Sequence, residues 1–218
     1  MASGWSFRYE GSPVPENIGF TRTLGGGGLA VNAPGVVWNA KTGGIGSSAT
    51  YVRSQSPVSA AATFVCRMKL SNLGTPFSSL TFAISSSDEG NGLRVSPTTV
   101  QLAGLSAIST DMTDYHILRM TFKKDGANYT RRLYIDETST IQSQSSGYGL
   151  LNDIDELWFR LNQSESAAVD LYVDYIYVSP LGAFSPSELP VGACADDDLS
   201  IAPLIKPCIL PARIPAVI

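Results

Sequence analysis

The chain has 218 residues, 44% of them hydrophobic and 16% charged, with 9 Tyr, 8 Phe and 3 Trp, a composition that excludes pervasive disorder and supplies one substantial core. Its formal net charge of -4, from 15 Lys plus Arg against 19 Asp plus Glu, excludes a global basic field of the kind that gathers nucleic-acid phosphates. The opening "MASGWSFRYEG" carries neither a cationic leader nor a long apolar run, so neither a secretory signal nor membrane insertion is expected.

From Trp5 to Gly44, short apolar runs alternate with Pro, Gly and Asn, which suits brief strands and turns. The "GGGG" there lacks the Lys and Ser/Thr of a nucleotide-phosphate loop and reads as a turn. Period-two alternation then recurs in "TYVRS", "AATFVCRMKL", "LTFAIS", "GLRVS", "YHILRMTFK", "YTRRLYID", "ELWFRLN" and "AVDLYVDYIYV". Intervening Gly, Ser, Asp and Asn predict an all-β, two-sheet antiparallel sandwich. Cys66, inside one of these runs, reads as a small buried thiol. "DEGNG" at 88–92 offers oxygen ligands for calcium but lacks a full calcium-loop framework, and a structural turn is the preferred reading. No other cofactor is expected.

"YHILRMTFKKDGANYTRRLYID", residues 115–136, holds the only histidine. Parity places His116, Leu118, Met120 and Phe122 on one face and Tyr115, Ile117, Arg119, Thr121 and Lys123 on the other, with "DGAN" supplying turn chemistry. A histidine sharing its parity with Leu, Met and Phe is read as scaffold or as an edge hydrogen-bonding group. The domain is expected to span 1–186. Residues 187–218, rich in Pro yet apolar, form an irregular C-terminal arm suited to packing on the domain or on another copy, and so to homo-oligomer formation. Cys194 and Cys208 lie in this arm and could form a clip if oxidised.

The stretch 115–136, followed by "LWFRLNQ" and "VDLYVDYIYV", resembles the strand pattern of the concanavalin A-like lectin/glucanase superfamily, including laminin-G-like modules. The resemblance implies a jelly-roll sandwich over residues 5–186 and glycan recognition, at an extracellular or cell surface, as the first functional expectation.

Strand parity nominates Arg53, Arg67, Lys69, Arg119, Trp158, Arg160, Asp170 and Tyr172, with Asp174, as outward-facing groups. If their strands shared one sheet, they would line an aromatic groove whose guanidinium groups favour an acidic polysaccharide. For each taken alone, a solvated outer face is the simpler reading. A polysaccharide lyase using Tyr172 with Arg67, Arg119 or Arg160 is the main enzymatic alternative. Glycoside hydrolysis is disfavoured: "NDIDELW" does not reproduce the superfamily's Glu-x-Asp-x-x-Glu spacing, and Asp170 and Asp174 stand roughly 13 Å apart along an extended strand. A structural or assembly protein using the arm is the third reading.

Overall fold

The computed structural model describes residues 7–9, 17, 19–25, 37–39, 48–58, 61–70, 79–83, 92–126, 128–148, 154–162 and 170–188, with side chains for 9, 17, 19–21, 53, 61–70, 92–126, 128–146 and 172–188. The 88–91 part of "DEGNG", Cys194, Cys208 and the arm beyond Glu188 lie outside the described residues.

Fourteen strands are described, divided between two antiparallel sheets. The first contains β1 (Phe7–Tyr9), β3 (Val37–Asn39), β5 (Ala61–Leu70), β10 (His116–Asp125), β11 (Asn128–Ile135), β12 (Ser143–Tyr148) and β14 (Asp170–Ser179). Its order is β1-β14-β5-β10-β11-β12, with β3 joining the same edge of β14 beside β1. The second contains β2 (Thr21–Gly25), β4 (Ser48–Val58), β6 (Ser79–Ala83), β7 (Leu93–Ser96), β8 (Thr99–Leu102), β9 (Ile108–Ser109) and β13 (Ile154–Asn162), in the order β2-β4-β13-β6-β7-β8-β9. The chain changes sheet at every step from β1 to β6, and again at β9–β10, β12–β13 and β13–β14. Sequence neighbours are therefore often partners across the sandwich rather than along a sheet.

Period two explains the core. Even positions of β5 turn inward as Ala62, Phe64, Cys66, Met68 and Leu70, and β10 adds Leu118, Met120 and Phe122. They meet Leu93 and Val95 from β7 and Val100 and Leu102 from β8, all at most 1% exposed. Each large apolar side chain buried this way stabilises the fold by about 1.5–3 kcal/mol. Cys66 is buried, as its setting in the sequence predicts.

The β10–β11 hairpin keeps register from Leu118↔Ile135 to Asp125↔Asn128, closing through Gly126 at φ 60, a backbone angle that glycine adopts without a Cβ clash. On β14, a register shift between Val173 and Tyr175 breaks the alternation. Val173, Ile176 and Val178 reach the core, while Asp174 and Tyr175 stay together on the outer side.

His116 differs from its parity. Its ring is partly exposed and bonded to Asp136 and to the Asp111 carbonyl instead of joining the apolar layer. It is the first residue of its strand, beyond the margin of the core, where polar loop groups reach it before apolar ones do. Its contacts are those of an edge hydrogen-bonding group, one of the two roles expected of it.

Candidate functional site

The outer face of the first sheet is ordered in rows across strands. Tyr172 of β14 lies opposite Lys69 of β5, and one step along, Tyr175, Arg67 and Ile117 are in register. Tyr115 precedes β10 by one residue and completes the first row on the far side of Lys69. The Lys69 ammonium stands 4.9 Å from the Tyr115 ring centroid and 5.0 Å from that of Tyr172, so it is held between two π faces. The Arg67 guanidinium lies 4.4 Å over Tyr115 and is ion-paired to Asp174. Arg67 and Asp174 keep 33% and 41% side-chain exposure, so this end of the face is open to solvent.

The other half of the same face is covered. Residues 180–188 leave β14 and cross the sheet as a strap. The Thr63 hydroxyl donates to the Gly182 carbonyl (2.8 Å) and accepts from the Phe184 amide (2.7 Å). Arg119 donates from Nη1 to the Phe184 carbonyl (3.3 Å) and from Nε to both Glu137 oxygens (3.1 and 3.0 Å). Beneath lie Val65, Tyr134 and Tyr177, no more than 4% exposed, with Tyr177 stacked on Tyr175 at 4.9 Å and 13°. The Phe184 ring folds over Gly182 so closely that a Cβ there would sit 2.7 Å from it.

The nominated residues do not form one groove. Arg67, Lys69 and Tyr172 meet at the open end, with Asp174. Arg119 shares the sheet but is 4% exposed under the strap, its charge taken by Glu137, so it serves as a strut. Asp170 begins β14 opposite Asn39, at the β3 edge. Arg53 lies on β4 opposite Leu157, and Trp158 and Arg160 lie on β13, all in the second sheet. The side chains of Trp158, Arg160 and Asp170 are outside the described residues. The reason for the split is simple: alternation separates inner from outer faces but carries no information about which sheet a strand joins. Parity alone does not single out Tyr115, although it shares the parity of Arg119. It stands outside the strand proper, and its partners are about 45 residues away in sequence, on β5, so no local pattern announces it.

Burial raises the Tyr115 phenol above its ordinary range, the Asp174 charge adds to the effect, and Arg67 partly opposes it. Burial, with Glu137, also pushes the Tyr175 phenol well up. Both phenols are thereby held as hydroxyl donors rather than as phenolate bases. Asp174 and Glu137 each face a guanidinium, which leaves Lys69 as the cation of the open patch without an ion-pair partner among the described residues. No cluster of three metal-ligating side chains occurs among the described residues, and no helix among them is long and apolar enough to cross a membrane.

No known protein-family profile matches the chain, and no curated protein matches it. Solved structures do. A legume lectin-like domain from Entamoeba histolytica aligns with a TM-score of 0.56 at 10% identity, covering 84% of this chain and 99% of that one. The carbohydrate recognition domain of Emp47p aligns at 0.51 and 10% identity, over 82% of this chain and 96% of that one. Lectin UEA-II, solved with galactose, aligns at 0.50 and 10% identity, over 80% and 99% respectively. Identities this low establish architecture and not activity. The chain has the all-β, two-sheet jelly-roll architecture of the lectin-like domains with which it aligns.

Proposed function

We propose that the chain is a non-catalytic carbohydrate-recognition or surface-binding module for an acidic glycan, working at an extracellular or cell surface. The observation that carries this reading is the Tyr172–Lys69–Tyr115 row, half open to solvent, in which one cation without a carboxylate partner among the described residues stands between two aromatic rings. Tyrosine rings offer apolar faces to the C–H surfaces of sugars, and their phenols donate to hydroxyls. Lys69 supplies a charge-assisted donor to a uronate or sulfate. The Arg67–Asp174 pair presents both donors and acceptors at the rim. The lectin-like architecture supports the same reading without determining the ligand.

The test is a glycan array spanning neutral and acidic oligosaccharides, run with wild type, Tyr172→Ala, Lys69→Gln and Trp158→Ala, each checked for an unchanged melting temperature. Tyr172→Ala weakens all binding roughly tenfold or more, whereas Lys69→Gln removes the preference for acidic ligands. Trp158→Ala, on the second sheet, leaves affinity unchanged. Specific binding that survives Tyr172→Ala but falls with Trp158→Ala would move the site to the other sheet.

A further inference from the structure

His116 is the one histidine of the chain and adjoins Tyr115, a wall of the proposed site, yet recognition makes no use of it. Its Nδ1 lies 2.8 Å from Asp136 Oδ2, and its Nε2 lies 3.0 Å from the Asp111 carbonyl oxygen. A carboxylate and a carbonyl are both acceptors. A neutral imidazole has a single N–H and presents a lone pair at its other nitrogen, so only a ring protonated on both nitrogens satisfies both contacts. The two contacts exist together only while the ring holds both protons, so this pair of contacts is linked to proton binding.

The two contacts join separate segments. Asp136 and Glu137 follow β11 with φ of 55 and 54, left-handed at two successive non-glycine residues, a conformation that persists where surrounding contacts fix it. Asp136 is fixed by its amide on the Ile117 carbonyl (2.8 Å) and by its Oδ1 accepting the Ile117 amide (3.0 Å). On the other side, the loop is tied down as far as Met112, whose amide bonds the Pro97 carbonyl (2.9 Å) and whose carbonyl accepts the Leu70 amide (2.7 Å). Residues 113–115 bridge these two fixed points, and the His116 ring spans the same interval. The charged groups around the ring are Asp111 and Asp114 from the loop, with the Asp111 carboxylate bonded to Thr113, and Asp136 and Glu137 from the turn, with Glu137 bonded to Arg119. From β5, Met68 is opposite His116, and Arg67 and Lys69 flank it on the outer face.

We infer that His116 is a positioning residue: its doubly protonated ring clasps the 111–116 loop to the Asp136–Glu137 turn and so sets Tyr115 against Lys69. Loss of one proton opens the Asp111 or the Asp136 side of the clasp, Tyr115 loses its placement, and the Tyr172–Lys69–Tyr115 row loses one wall. The effect on ligand rests on the glycan reading above; the clasp itself does not.

The experiment follows the single histidine of the 15N-labelled full chain by NMR from pH 5 to 8.5, together with the amide and ring signals of Tyr115. In parallel, a hyaluronan oligosaccharide is titrated at pH 5.5 and pH 8. Both ring nitrogens carry protons at the acidic end, and the Tyr115 signals move with the same midpoint as the ring. Affinity falls about tenfold from pH 5.5 to pH 8, the scale of one lost charge-assisted hydrogen bond. His116→Gln gives Tyr115 signals and an affinity that no longer change over this range, and Asp136→Asn shrinks both steps. Tyr115 signals that stay fixed while His116 titrates overturn the clasp. A coupled titration with no glycan bound at either pH supports the clasp and overturns the glycan reading.

Discussion

Cys66 shows how one buried group responds to its surroundings. It lies on the inner face of β5, fully covered, and burial raises its thiol well above the ordinary range, with the Asp174 charge adding to the effect. The folded chain therefore holds this proton more tightly than the unfolded chain does. By linkage, stability is complete below the pH at which the unfolded thiol ionises, near 9.0, and declines as pH rises from there toward the folded value. In a Cys194→Ser/Cys208→Ser background, the native protein should fail to react with a thiol reagent at pH 8 and react fully once unfolded in urea. Urea midpoints measured from pH 8 to pH 10 should fall more steeply for that background than for the same chain also carrying Cys66→Ala. Rapid native-state reaction would show that the thiol is accessible. Arg119 shows a different solution for a buried group: its guanidinium is matched by Glu137 at 2.8 Å and by a backbone carbonyl of the strap.

At the level of elements, the strap decides how much of the first sheet is available. Thr63 is fully buried and serves the strap with both its donor and its acceptor. Thr63→Val keeps the shape but leaves the Phe184 amide and the Gly182 carbonyl without that partner, at a cost of about 1–3 kcal/mol. Hydrogen exchange at the Phe184 amide should quicken markedly while amides of the β10–β11 hairpin stay protected; equal changes in both would mean that the strap is not a separate unit. Elements also divide by how far the sequence announces them. The hairpin is legible because Leu118, Met120 and Phe122 alternate cleanly and Asp125–Gly126 marks its turn. β12, "SQSSGY", is not, since its residues pair with β11 without apolar alternation to mark them. The strap is likewise hidden, because "SPLGAFSPS" has only turn-like composition and its role depends on Thr63, about 120 positions earlier. For the candidate site, Arg67, Lys69 and Tyr172 can be read from parity, but their grouping with Tyr115 and their separation from Arg53, Trp158 and Arg160 are set by sheet membership alone.

At the scale of the whole molecule, the two sheets share one core, and the first sheet carries a face that is half strapped and half open. The strap ends where the Ser185 hydroxyl and amide both bond the Glu188 carboxylate at 2.9 Å, a closed local turn that holds Glu188 below the usual carboxylate range. Beyond it, residues 189–218 combine prolines with Leu, Ile and Val, a composition that disfavours regular strands yet retains apolar surface. If the sandwich and its strap form the complete recognition unit, a chain ended after Glu188 should keep its melting temperature within a few degrees and bind the same oligosaccharide with unchanged affinity. Light scattering coupled to size-exclusion chromatography then isolates the role of the arm. A full-length oligomer that becomes monomeric on truncation assigns assembly to residues 189–218, whereas an oligomer that survives truncation must use the sandwich itself. A chain that loses its melting transition on truncation would instead make the arm part of the fold, because contacts worth a few kcal/mol decide whether a domain of this size stays folded.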